Sequence, residues 1–539
     1  MKKLLPLVLI ILTAACERSA PVGSTAPATS PTGGAASASG YDAVHPPIVE
    51  VAGGKLRGFM NNGTFAFLGI QYATAARFEA PQPVPAWDGV KDAQAYGAIC
   101  PIPEQTAVGT DEFVWPHRYW IQNENCQFLN LWTQQLDAAA KKPIMVFLHG
   151  GGFTNGSSIE AFAYDGKNLS EFGDVVVVTL NHRLNVLGSL NLSAYGDEFE
   201  KTGNMGMADI EAALRWLHDN AETFGGDPDN VTIFGQSGGS GKVVHLMHMP
   251  SAEGLFHRGI AESSGSFAYL TAEESARIAA LTLQELGLDA SQAEVLKTIP
   301  YPELLRAATA ALQQVNAEVP ERNLNWRPVL DGNYIESEYS EFSREMPFIV
   351  GTNFSERTST FVLGDGRKNE WTEDETRANL AARFGAENLD ELLAEFKALF
   401  PHKKPADAYF FDARYRVTVR ESLDLRLSQS SGPVYNYLFA YEAPANGGIM
   451  PFHCAELIYV FHNVDMPEIK IATGADASTY AMQDTAAQAW VNFARTGNPS
   501  VDGAEWRPYT KEGHGTMVLD VHSEWSELDD RRLVELTTL

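Results

Sequence analysis

The stretch VTIFGQSGGSGKVVHLMHM, residues 231–249, decides how the rest of the chain is arranged. Four β-favouring residues come first, the pattern G-x-S-x-G follows from Gly235 to Gly239, and an apolar, helix-compatible run closes the stretch. Between a strand and a helix this pattern is typical of a nucleophile elbow, in which Ser237 occupies a strained turn and glycines prevent collisions. The helix N-terminus would offer N–H groups to an oxyanion. An ordinary glycine-rich turn fits these five residues equally well, so other segments must decide.

The composition describes a large acidic chain. Its 539 residues are 45% hydrophobic, and 68 acidic against 40 basic residues give a net charge of −28. Such a surface repels nucleic acid and anionic ligands and mildly favours neutral or cationic ones, although a simple solvated surface is the plainer interpretation. We therefore expect no nucleic-acid partner, and the sequence indicates no oligomeric state.

The N-terminus predicts export. Two lysines precede a short apolar core in residues 1–15, which we interpret as a signal peptide. Thr13-Ala14-Ala15-Cys16 resembles a bacterial lipobox, which would make Cys16 a lipidated N-terminus, although Thr13 replaces the usual leucine. Residues 16–40 are rich in Ser, Ala, Pro, Thr and Gly and predict a tether. The expected location is the bacterial cell envelope with a lipid anchor to the membrane; cleavage after Ala15 would give a periplasmic or secreted protein.

The cysteines and histidines indicate no metal or organic cofactor. Cys100 and Cys126 lie close in sequence, and export permits a disulfide between them, which would leave Cys454 as a free thiol. His245 and His248 stand three residues apart, but without a third ligand they are better explained as packed or surface side chains.

The hydrophobic pattern predicts an α/β fold from residues 41–539. Short strands separated by Gly and Asn turns come first. Continuous apolar runs at 144–148 and 175–180 are typical of parallel strands buried on both faces. We predict further strands at 231–234, 259–261, 348–350 and 434–441, and helices at 208–224, 273–286 and 376–384. Strands that alternate with helices indicate a large, mostly parallel central sheet flanked by helices, with helical insertions.

A glycine run supplies candidate oxyanion donors. His149-Gly150-Gly151-Gly152-Phe153 follows directly on the apolar run 144–148. Without side chains the backbone can approach a substrate and turn its N–H groups inward, and the N–H of Gly238 would add another donor. A tight loop without a ligand remains the simpler explanation of this run alone.

Together these segments resemble the type-B carboxylesterases, which include the cholinesterases. The resemblance covers the chain almost to its end and includes FLGI at 67–70, ENC at 124–126, NHRL at 181–184, GNMG at 203–206, FGGDP at 224–228, PVLDG at 328–332 and NFARTGNP at 492–499. It implies the α/β-hydrolase fold and places the acid at Glu356 in GTNFSE and the base at His453 in HCAEL. Arg357 and Cys454 depart from the family pattern, which has a small residue and a glycine there. Glu262 is the rival acid.

The resemblance also implies further residues. Ser264 would support the acid, and Cys100 and Cys126 would form the family's first disulfide, enclosing a loop over the mouth of the site. A substrate pocket would include Trp115, Gln236, Leu324 and Trp326.

The sequence thus predicts a serine carboxylesterase with catalytic Ser237, Glu356 and His453 and an oxyanion hole of Gly151, Gly152 and Gly238. Its expected partner is a small ester, neutral and of short to medium acyl chain, because Gln236 stands where cholinesterases carry a glutamate. An amidase or peptidase would use the same triad. A non-catalytic adhesion protein of this fold would lack the nucleophile.

Overall fold

The long apolar runs form the centre of an 11-stranded sheet in the computed structural model, which describes residues 45–360 and 364–538. The described residues belong to one compact unit. The predicted signal peptide, Cys16 and the tether at 16–40 lie outside them. Among the described helices, none is both long and apolar enough to cross a membrane.

The strands are β1 (Ile48–Val51), β2 (Gly54–Arg57), β3 (Phe59–Asn61), β4 (Thr64–Gln71), β5 (Ala73–Thr74), β6 (Gln82–Pro83), β7 (Val90–Asp92), β8 (Phe128–Thr133), β9 (Lys142–Leu148), β10 (Val176–Leu180), β11 (Gly226–Gln236), β12 (Arg258–Glu262), β13 (Leu270–Thr271), β14 (Val329–Leu330), β15 (Phe348–Asn353), β16 (Val434–Phe439), β17 (Gly515–Leu519) and β18 (Glu524–Glu527).

The α-helices are α1 (Lys167–Gly173), α2 (Asn185–Ser189), α3 (Met205–Asn220), α4 (Gly238–Met247), α5 (Ala272–Glu285), α6 (Tyr301–Glu318), α7 (Glu373–Phe384), α8 (Leu389–Leu399), α9 (Ala413–Gln429), α10 (Ala455–Val460), α11 (Lys470–Thr473), α12 (Ala477–Thr496) and α13 (Arg531–Thr537).

The main sheet has the order β18-β17-β16-β15-β12-β11-β9-β10-β8-β4-β3. Pairings from β10 through β17 are parallel, whereas β8, β4 and β3 at one edge and β18 at the other are antiparallel. This confirms the predicted α/β-hydrolase fold with a mostly parallel centre. Parallel order matters for the site, because the carboxyl ends of these strands lie at one edge.

Both faces of the central strands are buried. In β9, Met145 and Phe147 pack into one hydrophobic cluster, while Ile144, Val146 and Leu148 pack into another. Helix α12 contributes to the first cluster, and α3 and α4 contribute to the second. Alternate residues of a strand point to opposite faces, so a sheet covered on both sides requires the unbroken apolar runs seen in the sequence.

The structure extends several predicted elements and adds others. Strand β8 is one of the added elements, and a polar residue, Asn130, interrupts its apolar run. This buried amide donates to Ser158 Oγ at 3.3 Å and Thr179 Oγ1 at 3.1 Å, and its oxygen accepts from Gly69 N at 3.0 Å. The strand is therefore supported by tertiary contacts that no local pattern reveals.

The predicted disulfide between Cys100 and Cys126 is confirmed, with 4.9 Å between the Cα atoms, and Cys454 is a free thiol. Within the enclosed loop Trp115 is buried, while Phe113 and Tyr119 are exposed.

Candidate active site

The ends of four parallel strands bring the predicted site residues to one edge of the sheet. Strand β9 ends at Leu148, just before the glycine run, and β11 ends at Gln236, just before Ser237. Strand β12 ends at Glu262 and β15 ends three residues before Glu356. This is the edge at which open parallel sheets form their ligand sites.

Ser237 has the strained backbone predicted for a nucleophile elbow. Its φ is 57° and its ψ is −119°, a conformation that costs a non-glycine residue about 1–3 kcal/mol. The flanking glycines are sterically required, because a Cβ on Gly239 would lie 1.9 Å from the Leu148 carbonyl oxygen. The Ser237 N–H donates to the Glu262 carbonyl at 2.8 Å, which ties the turn to the neighbouring strand.

The glycine run lies directly against this turn. A Cβ on Gly238 would be 2.5 Å from the nitrogen of Gly152, and Gly151 and Gly152 have φ values of 80° and 64°. In the described part of the chain, the N–H groups of Gly151, Gly152 and Gly238 have no hydrogen-bond acceptor. Three N–H groups without an acceptor in the described chain, on residues that line the same cavity as Ser237, are the arrangement that an oxyanion requires.

Glu356 and His453 form a direct pair. Glu356 Oε2 lies 2.6 Å from His453 Nδ1, and the Asn353 N–H donates to Glu356 Oε1 at 2.8 Å. Burial raises the pKa of Glu356, while the Ser263 hydroxyl and the Asn353 N–H counteract this rise. Burial also lowers the pKa of His453 well below its usual value, and the charge of Arg357 acts in the same direction. A neutral imidazole with its Nδ1 proton held by Glu356 keeps the Nε2 lone pair available for proton uptake.

No hydrogen bond of the Ser237 hydroxyl is present among the described residues. Instead, the side chain of Gln236, the residue before Ser237, contacts His453. Its Nε2 lies 3.3 Å from Nδ1 and 3.4 Å from Nε2 of the imidazole. Contacts between a nucleophile and its base are often loose without substrate and tighten when one binds.

Two more buried carboxyl groups lie behind Glu356. The rival acid Glu262 accepts a hydrogen bond from Trp490 Nε1 at 2.8 Å and does not contact His453. Burial raises the pKa of Glu456 to about 8, and the nearby charge of Glu356 adds to this shift. Burial likewise raises the pKa of Glu262 well above its usual value.

Ser263, the neighbour of the predicted supporting residue Ser264, contacts the buried carboxyl groups. The Ser263 hydroxyl donates to Glu456 Oε1 at 3.2 Å and lowers the pKa of Glu356. Ser264 instead accepts a hydrogen bond from the Ser266 N–H at 3.2 Å and lines the cavity beside Ser237. Two adjacent serines after a strand face different directions, and only the fold shows which one faces the carboxyl groups.

Cys454 adopts the backbone conformation of the glycine that it replaces in the family pattern. Its φ is 80°, in the left-handed region. Its thiol donates to Gln236 Oε1 at 2.9 Å, and burial raises the thiol pKa well above its usual value. Gln236 is thereby held between the thiol and the ring of His453.

A cavity of about 440 Å³ opens beside Ser237, and it is lined by only part of the predicted pocket. Trp326 lines it together with Gly151, Gly152 and Gly238. Leu324, Trp115 and Gln236 do not. Leu324 packs in a hydrophobic cluster with residues of α5 and α6, and Trp115 packs against the rings of Tyr164 and Phe452.

The remaining residues that the sequence singled out contact neighbouring side chains and carbonyl groups. His245 Nδ1 contacts the Gly241 carbonyl at 2.7 Å and His248 Nδ1 contacts the Glu336 carbonyl at 3.1 Å, and both rings pack on Phe267.

Arg357 is exposed, and its Nε lies 3.4 Å from the Tyr415 hydroxyl. The Tyr415 ring lies 5.5 Å from the ring of His453.

Two basic residues near the site carried no recognisable signal in the sequence. Lys242 on α4 is completely buried, and its Nζ donates to the carbonyl oxygen of His149 at 2.7 Å, which joins α4 to the glycine run. Arg327 lines the cavity beside Ser237. Their positions depend on segments far apart in the chain, so no local pattern could have indicated them.

Known proteins resemble this chain over almost its whole length. The sequence model of the carboxylesterase family matches residues 45–533. The para-nitrobenzyl esterase of Bacillus subtilis (strain 168) is 33% identical, covering 88% of this chain and 94% of that protein. The phenmedipham hydrolase of Pseudarthrobacter oxydans is 32% identical, covering 89% and 96%. A solved esterase from Clostridium hathewayi, described as able to hydrolyse aliphatic aromatic polyesters, is 38% identical with a TM-score of 0.84, covering 92% and 99%.

Proposed function

The chain belongs to the carboxylesterase family and is a carboxylic ester hydrolase, and from this premise we propose that Ser237, His453 and Glu356 are its nucleophile, base and orienting acid. The proposal rests on the 2.6 Å contact between Glu356 Oε2 and His453 Nδ1, at the sheet edge that also carries the strained Ser237. That contact fixes the imidazole tautomer that a serine nucleophile needs.

The reaction proceeds through an acyl-enzyme. His453 Nε2 takes the hydroxyl proton as Ser237 Oγ attacks the ester carbonyl carbon, and the same proton passes to the departing alcohol oxygen. Water then attacks the acyl-enzyme by the same route and releases the carboxylic acid. The N–H groups of Gly151, Gly152 and Gly238 stabilise the oxyanion at each tetrahedral stage, because no acceptor in the described chain competes for them.

The substrates are neutral carboxylic esters of short to medium acyl chain. Gln236 is uncharged, so the residue before the nucleophile offers no carboxylate to a cationic substrate. The cavity volume of about 440 Å³ suits a small acyl group that contacts Trp326.

A series of p-nitrophenyl acyl esters tests this function with the wild type and Ser237→Ala. We expect hydrolysis that peaks at short or medium chains and falls by several orders of magnitude in the variant, while thermal unfolding stays similar. Ser264→Ala is the matched control, because this serine lines the same cavity yet has no role in the proposed reaction. Undiminished activity of Ser237→Ala would contradict the assignment.

We propose further that the protein is exported and anchored through Cys16 at the bacterial cell envelope. The basic and apolar N-terminus and the small residues before Cys16 support this proposal. Cells fed a labelled fatty acid should label the wild type but not Cys16→Ala. Absence of label from the wild type would exclude lipidation and leave a periplasmic or secreted enzyme.

A further inference from the structure

The cavity beside Ser237 contains one charged side chain, and that charge is positive. Among the described residues that line it, Arg327 is the only ionisable acid or base; the others are glycine, alanine, hydroxyl, amide and aromatic residues. This contrasts with a chain that carries 68 acidic against 40 basic residues. A carboxylate-free wall with a single guanidinium differs from the acidic composition of the chain.

The Arg327 guanidinium has spare binding capacity. It is half-buried and forms no ion pair within the described chain, where its Nη2 donates to the Asn323 carbonyl at 3.2 Å. The neighbouring carboxylate of Glu274 is already bound by Arg322 through contacts of 2.8 and 3.0 Å. A guanidinium offers five N–H donors in a planar fork, so most of its donors remain available to a ligand.

The charge of Arg327 also acts on a side chain of helix α4, which begins directly after Ser237. His245 lies on α4, and its pKa falls to about 4, chiefly because the ring is buried and in part because of Arg327. Burial lowers the pKa of Arg327 itself, and the nearby charge of Arg322 adds to this effect. An anion next to Arg327 would oppose both pKa shifts, because its negative charge would compensate the partly desolvated guanidinium.

We propose that Arg327 binds a carboxylate on the acyl part of the substrate, and that half-esters of dicarboxylic acids are therefore a substrate class of this enzyme. The inference rests on the proposed function and extends it from neutral esters to esters with a distant negative charge. Ser237 attacks the ester carbonyl, the C–O bond to the alcohol breaks, and water supplies the oxygen of the new carboxylate. The second carboxylate is unchanged and forms a forked ion pair with Arg327.

Monoethyl adipate and ethyl hexanoate form a matched substrate pair, with the same alcohol and the same number of acyl carbons. Ethanol release gives kcat/KM for each, and the ratio of the two values reports on recognition of the charge. Arg327→Met should lower this ratio roughly 10- to 100-fold, the range for a hydrogen-bonded charged pair. Arg327→Lys should give an intermediate ratio, because it keeps the charge but loses the fork.

Two controls separate a specific contact from a general effect. Arg277→Met removes an exposed cation that is paired with Glu318 and leaves the pairing of Arg322 with Glu274 intact, and it should leave the ratio within about twofold. Raising the salt concentration should lower the wild-type ratio more than that of Arg327→Met, because a half-exposed ion pair is screened.

The outcomes for the inference and the proposed function differ. Full activity of the wild type on ethyl hexanoate, with a ratio that Arg327→Met does not change, would overturn the carboxylate site alone. Equal losses on both esters in Arg327→Met would also overturn it, because they would indicate a structural role. Failure of the wild type on both esters, and on the p-nitrophenyl series, would overturn the proposed function and this inference with it.

Discussion

Glu356 Oε2 lies 2.6 Å from His453 Nδ1, although 97 residues separate them in the chain. A second contact joins the two residues: the backbone N–H of His453 donates to the backbone carbonyl of Glu356 at 2.8 Å. The side-chain and backbone contacts together therefore fix the imidazole relative to the Glu356 carboxylate. Both residues lie in turns, outside any helix or strand.

Replacement of Glu356 by glutamine should lower kcat roughly 10³- to 10⁴-fold with little change in KM, because an amide can stabilise the wrong imidazole tautomer. Glu262→Gln is the matched control, since this carboxyl group is equally buried but bonded to Trp490. Steady-state kinetics of both variants on p-nitrophenyl butyrate provide the measurement. A larger loss in Glu262→Gln would reverse the assignment of the acid.

Trp326→Ala should shift acyl preference toward longer chains, because the indole lines the cavity beside Ser237. We expect the ratio of kcat/KM for the octanoyl to the acetyl ester to rise about tenfold, the effect of one or two extra methylenes in a pocket. Leu324→Ala should leave this ratio unchanged and lower stability by about 2–5 kcal/mol, because Leu324 is buried away from the cavity. A changed ratio in Leu324→Ala would show that Leu324 contacts the acyl chain.

Cys454→Gly should retain activity within a few-fold, since glycine adopts the φ of 80° without strain. The variant loses the thiol donor to Gln236, and the two effects should nearly cancel in stability. Cys454→Val should instead unfold at a clearly lower temperature, because a β-branched residue in this conformation costs roughly 1–3 kcal/mol. Equal melting temperatures for the two variants would show that the left-handed conformation is not retained.

Lys242→Met should change the pH dependence of stability. Burial lowers the pKa of Lys242 to about 7, whereas a lysine in the unfolded chain titrates near 10.4. Between these values only the unfolded chain holds the proton, so the wild type gains about 1.4 kcal/mol of stability for each unit that the pH rises. Below about pH 7 both states are protonated and the penalty is constant.

Melting temperatures between pH 7 and pH 10 check this expectation. As the pH rises, the melting temperature of the wild type should increase relative to that of Lys242→Met. Lys141→Met removes an exposed lysine, and the difference between its melting temperature and that of the wild type should stay constant. Parallel curves for the wild type and Lys242→Met would mean that Lys242 is charged in the folded protein at neutral pH.

Local sequence was sufficient for the elements with unbroken apolar runs. Strands β9 and β10 appear where predicted, because a strand buried on both faces needs continuous apolar residues. The turn at Ser237 was recognisable because its steric demand is local: glycine is required on both sides of a serine with a positive φ.

Contacts between distant segments decided the remainder. The choice of Ser263 over Ser264, and the exclusion of Leu324 from the cavity, depend on the direction in which each side chain points after the chain has folded. Lys242 and Arg327 had no motif, because their importance comes from burial and from the absence of a paired carboxylate among the described residues. The sequence by itself therefore determined the fold family, and it predicted the order in which the candidate site residues occur. The tertiary structure alone decided which charges lie in the cavity, because that depends on distances between residues far apart in the chain.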